Sequence, residues 1–322
     1  MFGLAYIYAS RETVWPGIVE QLLDEGGPVA STLLACDTIV RAKIGWSIRS
    51  VLRPQQATAE FVSEPVLTAV QIALTAGWRE RGTLPDVIGA RCGGEFAAAY
   101  AAGRISMEDA LELACRVSYL IHESSADCRT LALQGSIVEV AELQRLAPAR
   151  LSMSADNPDR RIIVTCRACD LGTLQSFLAD RGVANRLLSP RVAYHSPAID
   201  WWGPHMRAAL SGASGGRAML PLYSSTAGGL LPPGRPSEDH FWRVVRQPSL
   251  AGPMLSAMIA DGCRSFVEVG GHPSLTPMIQ DEAFAAGADV RTYSSMEIGG
   301  SFAATASILH EMPIRYATAA AG

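Results

Sequence analysis

The chain has 322 residues, with 27 basic and 31 acidic side chains and a net charge of −4. Apolar residues make up 48%, enough for a sizeable core, and no apolar run is long enough to cross a bilayer. The slightly acidic balance argues against nucleic-acid binding, which needs a basic face. Seven scattered cysteines are an odd set, so the chain reads as a reduced, cytoplasmic protein and not as a disulfide framework. Met1 to Ser10 lacks a basic leader and is not read as a signal peptide.

The predicted elements begin with a short apolar strand, Gly3 to Ser10. Amphipathic helices are expected over Trp15 to Leu23 and Val29 to Arg41. Glu64-Pro65 opens a long helix, Val66 to Glu80, where proline suits the first turn because its missing N–H would be unpaired there. After a turn at Gly82 to Pro85 comes the segment Asp86 to Tyr100, DVIGARCGGEFAAAY. An apolar strand there runs into a small-residue turn and then an alanine-rich helix, which is how a nucleophile elbow is built. Cys92 sits at its tip. Ser106 caps a further helix whose first turn is acidic.

The pattern then changes. Strands over Leu131 to Val140, Arg150 to Ser154, Arg161 to Cys166 and Ala184 to Leu188 alternate with helices over Ala141 to Ala147 and Leu171 to Asp180. This β-α-β-β-α-β order is ferredoxin-like. Arg191 to His195 returns to the larger body, followed by a strand at Leu220 to Ser225, helices at Glu238 to Val245 and Pro253 to Ala260, and a buried strand at Ser265 to Val269. The expected fold is therefore α/β. A large α/β-hydrolase-like domain with a parallel sheet, residues 1–127 and 192–322, carries a small inserted ferredoxin-like α+β domain, residues 128–191.

A buried cysteine is ordinarily a small hydrophobe. At an elbow tip it projects outward, and the following helix directs its positive end at the sulfur, which is expected to lower the thiol pKa, with Arg91 adding to the effect. A thiol acting on an acyl thioester needs a base or ion-pair partner. His195, in Tyr194-His195-Ser196-Pro197, is the preferred candidate, and His272, in Gly270-Gly271-His272-Pro273, is the rival. His122, His205 and His240 fall on helix faces and receive no role. Cys166-Arg167-Ala168-Cys169 is a single CxxC without a second ligand pair, so no metal is expected.

These motifs, in this order, resemble the malonyl-CoA:acyl-carrier-protein transacylase family, which includes the acyltransferase domains of polyketide synthases. The elbow is similar to that family's Gly-His-Ser-x-Gly-Glu, with Cys92 at the serine and Arg91 at the histidine. Tyr194 to Pro197 resembles its Phe-His-Ser-Pro, and Val267 to Pro273 its Glu-Val-Gly-Pro-His-Pro. A cysteine elbow resembles starter-unit acyltransferases. The resemblance implies a ping-pong reaction through an acyl-Cys92 intermediate, with His195 as base and the backbone N–H groups of Gly93 and Arg11 as oxyanion hole. It implies no cofactor beyond acyl-CoA or acyl-phosphopantetheine as substrate.

The departures concern the acyl group. The family's carboxylate-binding arginine falls on Val117, and Arg116 is one residue, about 100° of helix, out of phase. Loss of the clamp implies loss of malonyl preference, with Cys115 and Val117 as an apolar wall. A family glutamine falls on Glu64, whose carboxylate would repel malonate. Tyr194 narrows the side pocket. The acyl carrier protein implied as partner is acidic, so basic residues on or beside the small domain, Arg160, Arg161, Arg186 and Arg191, are docking candidates, with Arg186 and Arg191 preferred. Two alternatives stay open: a hydrolase that edits acyl thioesters, and a decayed acyltransferase that acts as a binding partner.

Overall fold

The computed structural model describes residues 3–45, 47–51, 63–125, 127–134, 145, 152–156, 161–188, 193–210 and 220–310. Within these, ten strands form two sheets. The large sheet has the order β10-β9-β1-β2-β7-β8. Its strands are β1 (Leu4–Tyr8), β2 (Val87–Ala90), β7 (Leu222–Ser224), β8 (Gly229–Leu230), β9 (Ser265–Val269) and β10 (Arg291–Ser294). All neighbours are parallel except β7 and β8. β1 lies at the centre and every residue in it is buried. A strand covered on both faces reads as a continuous apolar run, which is why LAYIY shows no alternation. Its two tyrosines are tolerated because each hydroxyl is satisfied, Tyr6 on the Thr83 carbonyl and Tyr8 on Thr75 Oγ1 at 2.7 Å.

The helix Ser63–Glu80 runs through the core and is buried for most of its length. It packs with the helices Gly27–Ile44 and Met107–Ser125 on one face of the sheet, while Ala251–Ala260 and Thr276–Ala285 belong to the apolar cluster of the other. Ser106 caps Met107–Ser125 as expected, accepting the Asp109 N–H at 3.0 Å. The strand β10 and the helices Thr276–Ala285 and Phe302–His310 were not anticipated. β10 is short, polar and half exposed at the sheet edge, so it lacks the apolar periodicity that marks a strand.

The second sheet is antiparallel, with the order β4-β5-β3-β6: β3 (Cys128–Gln134), β4 (Ser152–Asp156), β5 (Arg161–Arg167) and β6 (Asn185–Leu187). Helix Leu171–Ala179 covers it through Leu174 and Leu178. This is the ferredoxin-like strand order, so the fold comprises a large α/β unit and a small ferredoxin-like one. The expected helix over Ala141 to Ala147 lies almost wholly outside the described residues. Cys166 is buried in β5 and Cys169 is exposed just beyond it.

Three glycines fix how the elbow sits on the sheet. A side chain on Gly89 would strike Met258 and Ile7, and one on Gly94 would lie 2.5 Å from the carbonyl oxygens of Tyr8 and Ala9. The third, Gly93, faces Glu64. Backbone cannot yield as a flexible side chain can, so Gly94→Ala should destabilise the fold by about 2–3 kcal/mol. Chemical denaturation would register this as a lower midpoint with an unchanged slope.

Candidate active site

The strand β2 ends at Ala90 and the helix Gly94–Ala101 begins four residues later. Between them Cys92 adopts φ 48°, a left-handed conformation that non-glycine residues occupy at a cost of about 1–3 kcal/mol. The surroundings hold it there. Arg91 N–H donates to the Tyr8 carbonyl at 2.9 Å, and Cys92 N–H to Ser225 Oγ at 3.2 Å. Glu95, in the first turn of the helix, is buried and accepts from Ser224 Oγ at 2.7 Å, Thr226 Oγ1 at 3.0 Å and His240 Nε2 at 2.8 Å. This polar anchor ties the elbow to the end of β7. Charge-assisted bonds of this kind contribute about 1.5–3 kcal/mol each.

His240 was given no role from the sequence; the structure places it beneath the elbow as a partner of Glu95. Its helix is strongly two-faced, and His240 lies on the buried side with Phe241 and Val244. The hydroxyl run Ser224-Ser225-Thr226 after an apolar strand was the available signal, since three hydroxyls at a buried strand end need a common partner.

The second non-glycine residue in the left-handed region is His195, at φ 56°. Its N–H donates to the Val245 carbonyl at 2.8 Å, and Ser196 Oγ closes the turn on the Ala193 carbonyl at 2.9 Å. The ring Nε2 lies 3.5 Å from Cys92 Sγ. Two strained residues, 103 positions apart, thus present sulfur and imidazole to each other. The Gln247 carbonyl faces the ring and favours its protonation, but falls short of a hydrogen bond to Nδ1.

His272, the rival, has an exposed side chain. Its backbone N–H donates to the Thr13 carbonyl at 2.8 Å, and Gly271 packs so closely that a Cβ would lie 2.2 Å from the same oxygen. The Gly270-to-Pro273 motif therefore fixes the 3-10 turn Arg11–Thr13. Gln71 also holds this region, donating to the carbonyls of Ala9 at 2.7 Å and Val269 at 3.0 Å.

The electrostatics correct one expectation. Burial pushes the Cys92 thiol up to about 11, with Arg91 opposing that rise. Burial likewise lowers His195 to about 4, despite the Gln247 carbonyl. Both shifts favour a neutral resting pair over a ready thiolate. Arg91 itself is buried, at 8% exposure, and pairs with Glu12 at 3.2 Å, so it stands beside the sulfur as a fixed cation.

The remaining candidates divide into two groups. Glu64 is 2% exposed. Tyr194 donates its hydroxyl to Glu64 Oε1 at 2.8 Å, and Glu64 Oε2 lies 2.0 Å from where a Gly93 Cβ would stand. The Arg11 guanidinium lies over the Tyr194 ring, 5.1 Å from its centroid. Glu64, Tyr194, Arg11 and Gly93 therefore share the cleft with Cys92 and His195. Arg116 does not join them. It is exposed and bound to Glu112, its Nε 2.9 Å from Oε1. With Cys115 it lines a cavity of about 370 Å³ that Lys43, Tyr119 and Trp202 share and no elbow residue does. Cys115 as a wall of the acyl pocket is thus a misplacement, because the helix turns it to another face. Val117 is buried in the main core. Arg186 is exposed on β6, and Arg191 and Arg160 lie outside the described residues.

With this geometry in place, the similarity to known proteins becomes interpretable. The Acyl transferase domain profile matches residues 5–301. The chain belongs to that family. It is 29% identical over 277 residues to the spectinabilin polyketide synthase system protein NorA' of Streptomyces orinoci, covering 84% of this chain and 8% of that one. Against the pikromycin polyketide synthase component PikAIII of Streptomyces venezuelae it is 26% identical over 283 residues, 85% of this chain and 18% of that one. The chain thus spans a small part of these relatives. The fold is similar to a loading acyltransferase from the avermectin modular polyketide synthase, with TM-score 0.83, 24% identity and coverage of 95% and 99% of the two chains. The malonyl CoA-acyl carrier protein transacylase of Clostridium perfringens gives TM-score 0.81 at 16% identity, covering 96% and 98%.

A neutral thiol gains nucleophilicity only as it deprotonates, so alkylation of Cys92 by iodoacetamide should climb with pH through 7 to 10 without levelling. Peptide-resolved mass spectrometry would read this, and a plateau below pH 7 would instead indicate a resting ion pair. Arg91→Gln should slow the reaction at every pH tested.

Proposed function

We propose that the chain is an acyltransferase that carries a non-carboxylated acyl group from a coenzyme A or carrier-protein thioester to an acceptor in polyketide-type biosynthesis. The observation that carries the proposal is the 3.5 Å approach of Cys92 Sγ to His195 Nε2 at a strained elbow. His195 acts as general base because its neutral ring is the abundant form at pH 7. The Cys92 proton passes to Nε2 as sulfur attacks the thioester carbonyl. Collapse of the tetrahedral intermediate breaks the donor C–S bond, and the leaving thiolate takes the proton from the imidazolium. The acceptor, a carrier thiol or a natural-product hydroxyl or amine, then loses its proton to His195, attacks the acyl-Cys92 carbonyl and releases the cysteine. The Gly93 and Arg11 N–H groups stabilise both oxyanions.

The acyl preference rests on two features. Val117, where the resemblance implies a carboxylate clamp, is apolar and buried, and Arg116 is engaged by Glu112 away from the elbow. Glu64 presents a carboxyl group beside Gly93. A malonyl carboxylate would meet no arginine from that helix and would face Glu64.

Where the donor or acceptor is an acyl carrier protein, this acidic partner suits the exposed Arg186 on β6, with residues 128–191 as the small domain that receives it. Arg186→Glu should raise KM for a carrier-bound donor several-fold and leave KM for a pantetheine donor unchanged.

Intact-protein mass spectrometry after incubation with acyl thioesters tests the reading. One acyl adduct should form, on the peptide containing Cys92, and Cys92→Ala should abolish it. His195→Ala should lower kcat/KM by about 10²–10⁴-fold, the usual contribution of a general base. Adduct formation followed only by free acid would assign hydrolysis, and absence of any adduct would favour the decayed binding partner.

A further inference from the structure

Glu64 is the least expected side chain in the cleft. It is 2% exposed, and its two oxygens are treated unequally. Oε1 accepts the Tyr194 hydroxyl at 2.8 Å, while Oε2 has no hydrogen-bond partner among the described residues. That orphaned oxygen is turned to the elbow, 2.0 Å from the site a Gly93 Cβ would occupy. Gly93 immediately follows Cys92, so Oε2 stands beside the elbow tip.

An orphaned buried carboxyl oxygen loses the hydrogen bonds it would make in water, and the cost grows when the group is ionised. Burial raises the Glu64 pKa, which favours the neutral form, with the Arg11 charge opposing that rise. Filling the cleft changes the balance according to what the acyl group brings. A plain alkyl chain expels water and leaves Oε2 unsatisfied. A carboxylate adds a like charge. A protonated amine supplies donors and a counter-charge together, and it converts the costly group into an ion pair with Tyr194 already fixing the other oxygen. Of the neighbouring cations, Arg91 pairs with Glu12 at 3.2 Å, whereas Arg11 lies over the Tyr194 ring and its charge also reaches Glu64 without a hydrogen bond to Oε2.

We propose that Glu64 selects acyl groups bearing a protonated amine, so that the preferred donor is an aminoacyl thioester. The inference rests on the cleft being the acyl site of the acyltransferase proposed above. The Tyr194 bond aims Oε2, and the absence of a Gly93 side chain leaves room for that aim.

Pantetheine thioesters of β-alanine, butyrate, 3-hydroxypropionate and malonate share nearly the same length and differ at the terminal group. Rates of adduct formation on Cys92 should favour β-alanyl over butyryl by at least tenfold, with 3-hydroxypropionyl between them. Glu64→Gln keeps the shape and removes the charge, and should bring the β-alanyl and butyryl rates within about twofold. Butyryl loading as fast as β-alanyl, or a preference that survives Glu64→Gln, would overturn the assignment while leaving the acyltransferase reading intact. Preferential malonyl loading would overturn both this assignment and the non-carboxylated acyl preference. Calorimetry on the Cys92→Ala protein separates recognition from chemistry. Its Kd for the β-alanyl thioester should be about tenfold below that for butyryl even if no variant transfers acyl groups, and equal values would refute the role of Glu64.

Discussion

The buried carboxylate of Glu95 is the interaction on which the rest of the site depends. It ties the first turn of the elbow helix to Ser224 and Thr226 at the end of β7, and to His240 on a separate helix. Cys92 sits at φ 48° between this anchor and β2, with its N–H on Ser225 Oγ. A left-handed residue relaxes unless the chain on both sides is over-determined. Here the strand holds one side and the Glu95 network the other. The sulfur is thereby lifted from the core although it belongs to a residue type that is usually buried.

A matching constraint acts on His195. His195 is also left-handed, and the Val245 carbonyl holds its N–H. Val245 lies on the same helix as His240. One helix thus braces both halves of the pair, Cys92 through Glu95 and His195 through the backbone. The neutral charge state follows from the same burial, since neither thiolate nor imidazolium is well solvated there. Arg91 is the fixed cation beside this pair.

The cleft is assembled from distant segments. The turn Arg11–Thr13 is held by His272 N–H and by close packing of Gly271. Glu64 enters from the buried end of a core helix and Tyr194 from the residue before His195. Their hydrogen bond spans 130 positions in sequence and sets the direction of an otherwise unpartnered oxygen. The cavity at Arg116 and Cys115 is lined by none of the elbow residues.

Elements whose signal is local could be read directly from neighbouring residues. The small residues around Cys92 announce a tight turn, because Gly94 has backbone oxygens 2.5 Å from any Cβ. The alternating small domain, the cap at Ser106 and the histidine of Tyr194 to Pro197 were legible for similar reasons, each written in neighbouring residues. The charge state of Cys92, the partnership of His240 with Glu95, the docking role of His272 and the orientation of Arg116 were decided only by the tertiary structure. These depend on desolvation and on which groups meet across long separations, and no window of sequence carries either quantity. The helix-terminus argument for a lowered thiol pKa failed on that account, because the fold that places Cys92 at a helix start also removes the water that would solvate its thiolate.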